Sequence, residues 1–244
     1  MTGRLSDFPG GVGLSGLDVY PWPTEDGKHG GSPHMHLTCA EAYVVIGGRG
    51  RLETLSRQGH QTVPLNPGDV VWFSPGTIHR AVNEDGLHVV VVMQNSGLPE
   101  AGDAVLTLPP EYLIPESYAA AVSLLGDAGH PDEDRARARR DLAVQGFAEL
   151  KRHWYEGNPA ALDDFYHAAA ALVRPRLQGW RTTVREGPLA AAKTSMEHIT
   201  ALEAGDIGHL GSSGVRRIER PATRSLGMCG LLHAYDPIRR AGNG

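Results

Sequence analysis

Three histidines and one glutamate in the first third of the chain have the types and spacing of a metal centre. His34 and His36 are two residues apart, and alternate residues of an extended strand share a face, so both imidazoles can reach one ion. Glu41 stands at odd spacing from His36 and would face away on a continuous strand. A turn through Leu37, Thr38, Cys39 and Ala40 must intervene if it is to join them. Glu41 then opens a strand on which Tyr43 and Val45 share its face. His79 follows a Ser74-Pro75-Gly76 turn and enters a further strand directed at the same interior. Three imidazoles and one carboxylate suit manganese, iron, nickel, copper or zinc, and leave open positions on a six-coordinate ion.

The elements that must position these residues are short strands. From about residue 10 to 95, runs such as LDVY, EAYVVIGG, GRLETLS, HQTVPL, DVVWFS and LHVVVVMQ alternate with GG, RQG, NPGD, SPG and NEDG, the punctuation of an all-β sandwich or barrel. The texture changes after TLPPEYLIPE. Asp132 is placed to cap a helix with Val144, Phe147, Leu150 and Trp154 at helical spacing and Gly157 beyond its end. Asn158-Pro159 starts a second helix with Leu162, Phe165, Ala169 and Leu172 on one face, until Pro175. A third runs from Pro188 to about Ala204, with Leu189, Met196, Ile199 and Leu202 expected inward and Gly205 as terminator. The RARARR stretch reads as a solvated face. No structure is assigned to the glycine-rich last forty residues. The expected division is a barrel over 1–112, a proline-rich connector over 113–131 and a helical region over 132–244.

Composition narrows the function. With 244 residues, 41% of them hydrophobic, the chain can bury a core without an ion or disulfides. Its net charge of −5 gives no general attraction for nucleic acid. The stretch MTGRLSDFPGG lacks the apolar core of a secretory leader, and no run approaches the ~20 apolar residues of a membrane span, so a cytoplasmic protein is expected. Cys39 and Cys229 read as free thiols. There is no G-x-S-x-G elbow, Walker loop or dinucleotide fingerprint.

The spacing of the four candidates resembles that of the cupins. His34-x-His36-x4-Glu41-x6-Gly48 follows their first motif, with Lys28 where a glycine is usual. Gly68-x5-Ser74-x-Gly76-x2-His79-x3-Asn83 follows their second, with Ser74 where proline is usual and Pro75 beside it. The resemblance covers residues 31–83 and implies a mainly β fold, a jelly-roll barrel (double-stranded β-helix) with an α-helical C-terminal part after it. It also implies one divalent transition metal ion inside the barrel, held by His34, His36, Glu41 and His79. Cupins span isomerases, epimerases, dioxygenases, decarboxylases, lyases and non-catalytic sensors, so the fold leaves the activity open.

The leading expectation is an isomerase or epimerase of a sugar or sugar acid working through metal-stabilised enediolate chemistry, with Glu41, Tyr43 and His88 as proton carriers. His88 and Gln94 share one strand face, and either is a candidate partner of the site; Cys39 lies between ligands. The alternatives are a dioxygenase using iron and a non-catalytic small-molecule sensor. The expected partners are a small-molecule substrate and a second copy of the chain, in a homodimer, with no membrane.

Overall fold

The computed structural model describes residues 8–126 and 129–235. The residues read for a leader lie, up to Asp7, outside this range, as do Asp127 and Ala128 of the connector. The strands are β1 (Gly13–Val19), β2 (His34–His36), β3 (Glu41–Ser56), β4 (Gly59–Leu65), β5 (Val70–Phe73), β6 (Ile78–Met93), β7 (Ala104–Leu106), β8 (Ser225–Leu226) and β9 (Gly230–Tyr235). The helices are α1 (Pro115–Val122), α2 (Glu133–Tyr155), α3 (Ala160–Val173), α4 (Leu177–Glu186) and α5 (Pro188–Glu203). A β-barrel followed by helices is thus the architecture. No helix among the described residues is long and apolar enough to cross a membrane.

Two long antiparallel strands, β3 and β6, make the barrel by bending. The first half of β3 pairs with β5 and the second half of β6, while its second half pairs with β4 and the first half of β6. Each strand therefore passes from one sheet to the other at a corner, where the register slips between Val45 and Gly50. Gly48 makes the corner possible: its φ is 66°, and a Cβ there would stand 2.2 Å from the Gly86 carbonyl oxygen. Asn83, the last residue of the second motif, staples the corner by accepting from the Leu87 N–H and donating to the Val19 carbonyl. Asn83–Gly86, expected as a turn, is instead continuous strand, and so is the expected break in β3.

The described part of the last forty residues, up to Tyr235, supplies structure that the sequence left unassigned. Beyond Glu203 the chain returns to the sheet, β9 pairs with β1, and β8 pairs with β9. Of the region 132–244, expected as helical, Glu133–Glu203 is largely helical, strands β8 and β9 follow at Ser225 and Gly230, and residues 236–244 lie outside the described range. The connector 113–131 carries α1.

Helix α2 starts where expected, with the Asp132 carboxylate accepting from the Arg135 N–H. The arginine stretch differs from expectation: Arg139 and Arg140 are buried. They donate to the carbonyls of Gly227 and Pro23, and Arg137 stacks 4.0 Å over Trp22. A guanidinium can do this because its planar fork satisfies backbone acceptors while its stem packs as hydrocarbon. Helix α3 buries Leu162, Phe165 and Ala169 as expected, with Val173 buried and Leu172 packed partly against the core. Helix α5 forms over the expected range but buries nothing; Leu189, Met196, Ile199 and Leu202 are exposed.

Gly146 is where α2 meets the barrel. A Cβ there would lie 2.1 Å from the Thr107 carbonyl oxygen and 2.7 Å from the Leu108 carbonyl carbon, both backbone atoms that cannot yield. Gly146→Ala is expected to destabilise by about 2 kcal/mol or more. Gly179→Ala, in α4 with nothing within 4 Å, is expected to stabilise by about 0.5–1 kcal/mol. Thermal denaturation of the two variants reads the contrast.

Candidate metal centre

His34, His36, Glu41 and His79 converge inside the barrel, all four buried, each offering a ligand atom within 4.8 Å of the others. Strand pairing brings them together. His34 on β2 is the cross-strand partner of His79 on β6, so motifs 45 residues apart become neighbours, and their ring centroids stand 4.2 Å apart. The Ser74–Gly76 turn is tied to the same strand, since the Gly76 N–H donates to the His36 carbonyl. Ser74 in place of proline leaves that turn intact, and its carbonyl accepts from the Thr77 N–H.

Each imidazole is oriented from behind. His34 Nδ1 lies 2.9 Å from the Ser32 carbonyl oxygen, His79 Nδ1 lies 3.1 Å from that of Thr77, and His36 Nδ1 lies 3.1 Å from the Asp103 carboxylate. All three partners are acceptors, so each ring donates from Nδ1–H and turns Nε2 inward. Glu41 Oε2 stands 3.2 Å from both His36 Nε2 and His79 Nε2. Glu41 Oε2 and His79 Nε2 are buried without a hydrogen-bond partner. Unpaired donor atoms aimed at common space are what a cation would satisfy. The residues therefore fit the group that the motifs imply.

Asp103 was not found from sequence. It is fully buried just before β7, and its carboxylate accepts from the Thr38 hydroxyl at 2.6 Å, the Thr38 N–H at 2.8 Å and the Cys39 N–H at 3.2 Å, besides His36. It thereby forms the turn that Glu41 needs. An isolated acid 67 residues from its imidazole carries no local signal. Cys229 was missed as a neighbour of the site: its Sγ lies 3.9 Å from His34 Nδ1, carried there by the returning C-terminal segment.

Electrostatics separates the rings. Burial, helped by the neighbouring His79 and His36, holds His34 well below the usual imidazole range. Burial acts on His36 in the same direction, but the Asp103 and Glu41 carboxylates outweigh it and raise its pKa to about 9. Burial pushes Glu41 up, and His36 and His79 more than reverse that, leaving it an anion.

The other candidates are placed as follows. Tyr43 faces the cluster from the same side of β3 as Glu41 and is fully buried. His88 is not brought there: nine residues from His79 on one continuous strand, it lies on the outer face and pairs with Asp18. Gln94 accepts from the Ala40 N–H and so supports the turn. Cys39 is buried outside the donor set, with its thiol pushed up to about 12 by burial and Asp103.

The fold and this site define a β-barrel with an internal three-imidazole, one-carboxylate centre. Residues 24–93 match the sequence model of the family described as the cupin domain, so this part of the barrel is a cupin domain. No curated protein matches it. Among solved structures it is similar to the Streptomyces nucleoside dehydratase PAC13 (16% identity, 35% of this chain and 60% of that one, TM-score 0.27). It is also similar to the capsular polysaccharide assembling protein CapF from Staphylococcus aureus (20%, 33% and 22%, 0.26). A third similar structure is an RmlC-like cupin from Desulfovibrio desulfuricans (17%, 34% and 71%, 0.27). This chain thus spans less than two thirds of the first two.

Two outcomes test the centre. Cation uptake must displace the His36 Nε2 proton, so affinity is expected to rise with pH up to about 9, with roughly one proton released per ion; titration calorimetry in buffers of different ionisation heat measures that release. His36→Ala is expected to abolish metal retention while the barrel stays folded, and Asp103→Asn to weaken it about 10–100-fold. Metal analysis beside circular dichroism checks both.

Proposed function

We propose that the chain is a metal-dependent enzyme acting on a small polar metabolite with adjacent oxygens, a sugar or sugar acid, and that it shifts a proton between neighbouring carbons as an isomerase or epimerase. The observation that carries this reading is the pairing of Glu41 with Tyr43 on one inward strand face. The Tyr43 hydroxyl is buried without a hydrogen-bond partner. Burial, the Glu41 charge and Cys229 hold its pKa well above the usual phenol range. It therefore stays a neutral O–H, able to donate to a substrate oxygen. Glu41, kept ionised by His36 and His79, is the acceptor beside it. One acceptor and one donor side by side are the minimum that a proton shift between adjacent atoms needs.

A bound manganese, iron, nickel, copper or zinc ion would supply Lewis acidity toward a substrate carbonyl. The protein's own part is to hold the rings and keep water out. Phe73 does both, with its ring 4.1 Å from that of His79 and 5.4 Å, edge on, from Tyr43.

A second reading, an iron dioxygenase, is favoured by the place of His88. With that ring on the outer face, the acceptor is itself a member of the donor set, whereas a reaction consuming molecular oxygen needs no such base. Turnover by metal-loaded protein under argon separates the two. The isomerase reading expects a sugar or keto-acid panel to yield undiminished turnover without oxygen, and oxygen uptake coupled to substrate loss overturns it. Tyr43→Phe is expected to lower kcat by about 10²–10⁴-fold with metal content unchanged.

A further inference from the structure

Helix α5 leaves the body of the protein. Its first turn packs at Gly11, where a Cβ would stand 2.7 Å from Pro188. From Ala192 to Arg220 every residue except Ala201, His209 and Ile218 is exposed. This arm runs out along the helix and through the short turn of 3-10 helix Gly208–Ser212. The stacked rings of His198 and His209 hold that turn against the helix.

A helix this short is marginal in water without packing along one face, and this one has a face for packing. Leu189, Ala192, Met196 and Ile199 follow 3-4-3 spacing, the stripe that helix pairs bury. Met196 is 62% exposed and Ile199 48%, with Leu202, Ile207 and Leu210 also exposed farther along the arm. Six such side chains present on the order of 500 Å² of apolar surface. A standard interface hides about 800 Å² per partner, somewhat over half of it apolar. The arm alone therefore supplies what a stable pairing needs.

We propose that this arm is the interface between two copies of the chain, with the α5 helices pairing antiparallel about a two-fold axis between Met196 and Ile199. Such a contact is self-complementary: Met196 of each helix meets Ile199 of the other. Charge fits the same arrangement. Glu203, the acid at the end of the stripe, comes opposite Ala192 and beside Lys193 of the second copy, so the one anion on the seam meets a cation. The same pairing in parallel would set Glu203 against Glu203.

Sedimentation velocity and light scattering on the full chain across a concentration series test this. The wild-type protein is expected to be a dimer, and the double variant M196E/I199E a monomer with its dimer dissociation constant raised more than about 100-fold. Both substitutions lie on exposed side chains, and circular dichroism with metal content confirms that the body is unchanged. The double variant M196C/I199C is expected to form an interchain disulfide on oxidation, because Cys39 and Cys229 are buried and do not compete. W72E provides the contrast at a separate exposed apolar position and is expected to leave the dimer intact. A wild-type monomer at every concentration overturns the proposal, and so does a dimer that survives M196E/I199E or dissolves in W72E.

Discussion

The carboxylate of Asp103 is the constraint on which the candidate metal centre depends. A buried anion is tolerated only when its acceptor sites are filled, and Asp103 receives three hydrogen bonds from Thr38 and Cys39 as well as the contact with His36. Burial raises its pKa, but these donors prevail and hold it at about 2. Two consequences follow from one group. It fixes His36 with Nε2 inward, and it closes the turn that reverses strand parity so that Glu41 faces the same space. The loop before it is held by the helical layer, through the Trp180 indole N–H to the Ala101 carbonyl at 3.2 Å and Arg176 to Gly102 at 3.4 Å. Helix α4 is thereby joined to a site residue it never touches.

Strand β6 shows why the barrel needs helices around it. His79 points inward, so Arg80 must point outward, yet Arg80 is fully buried. Its guanidinium binds Asp26 at 2.6 Å and Thr24 at 2.9 Å, with Glu53 3.6 Å away and Lys28 closing on Glu53 from the loop. Lys151 of α2 reaches Glu53 at 4.0 Å. A strand that carries a site imidazole on one face and a shielded ion network on the other is fixed from both sides, and ring 79 has little freedom to tilt. Lys28, which departs from the first motif's glycine, has its place in this network.

The clustering of the four side chains and the barrel around them were legible because strand alternation and turn chemistry are local. His34 and His36 needed only period two; Glu41 needed only a turn. What failed was long-range. Asp103 and Cys229 reach the site by loop closure over 67 and 195 residues, and no spacing rule spans such distances. His88 failed for an instructive reason. Reading Asn83–Gly86 as a turn cut β6 in two and removed the parity that places residue 88 opposite 79. The arginines of α2 were misjudged because their burial depends on Trp22 and on carbonyls of remote segments. The stripe of α5 was seen correctly as apolar, but periodicity says that a face will be covered and not by what.

The return of β9 also bears on which ions the centre suits. It delivers Cys229 beside His34, where a thiolate would put a soft, charged donor next to the set. The chain forestalls this. Burial first, and then the Glu41 charge, push the thiol up to about 12. Its Sγ also lies 3.8 Å from the Ser32 carbonyl oxygen, the acceptor that orients His34. Protonated, the thiol is a small apolar wall that fills space behind the ring and leaves the donor set at three nitrogens and one oxygen. That set discriminates against ions that demand sulfur and admits the borderline divalent metals.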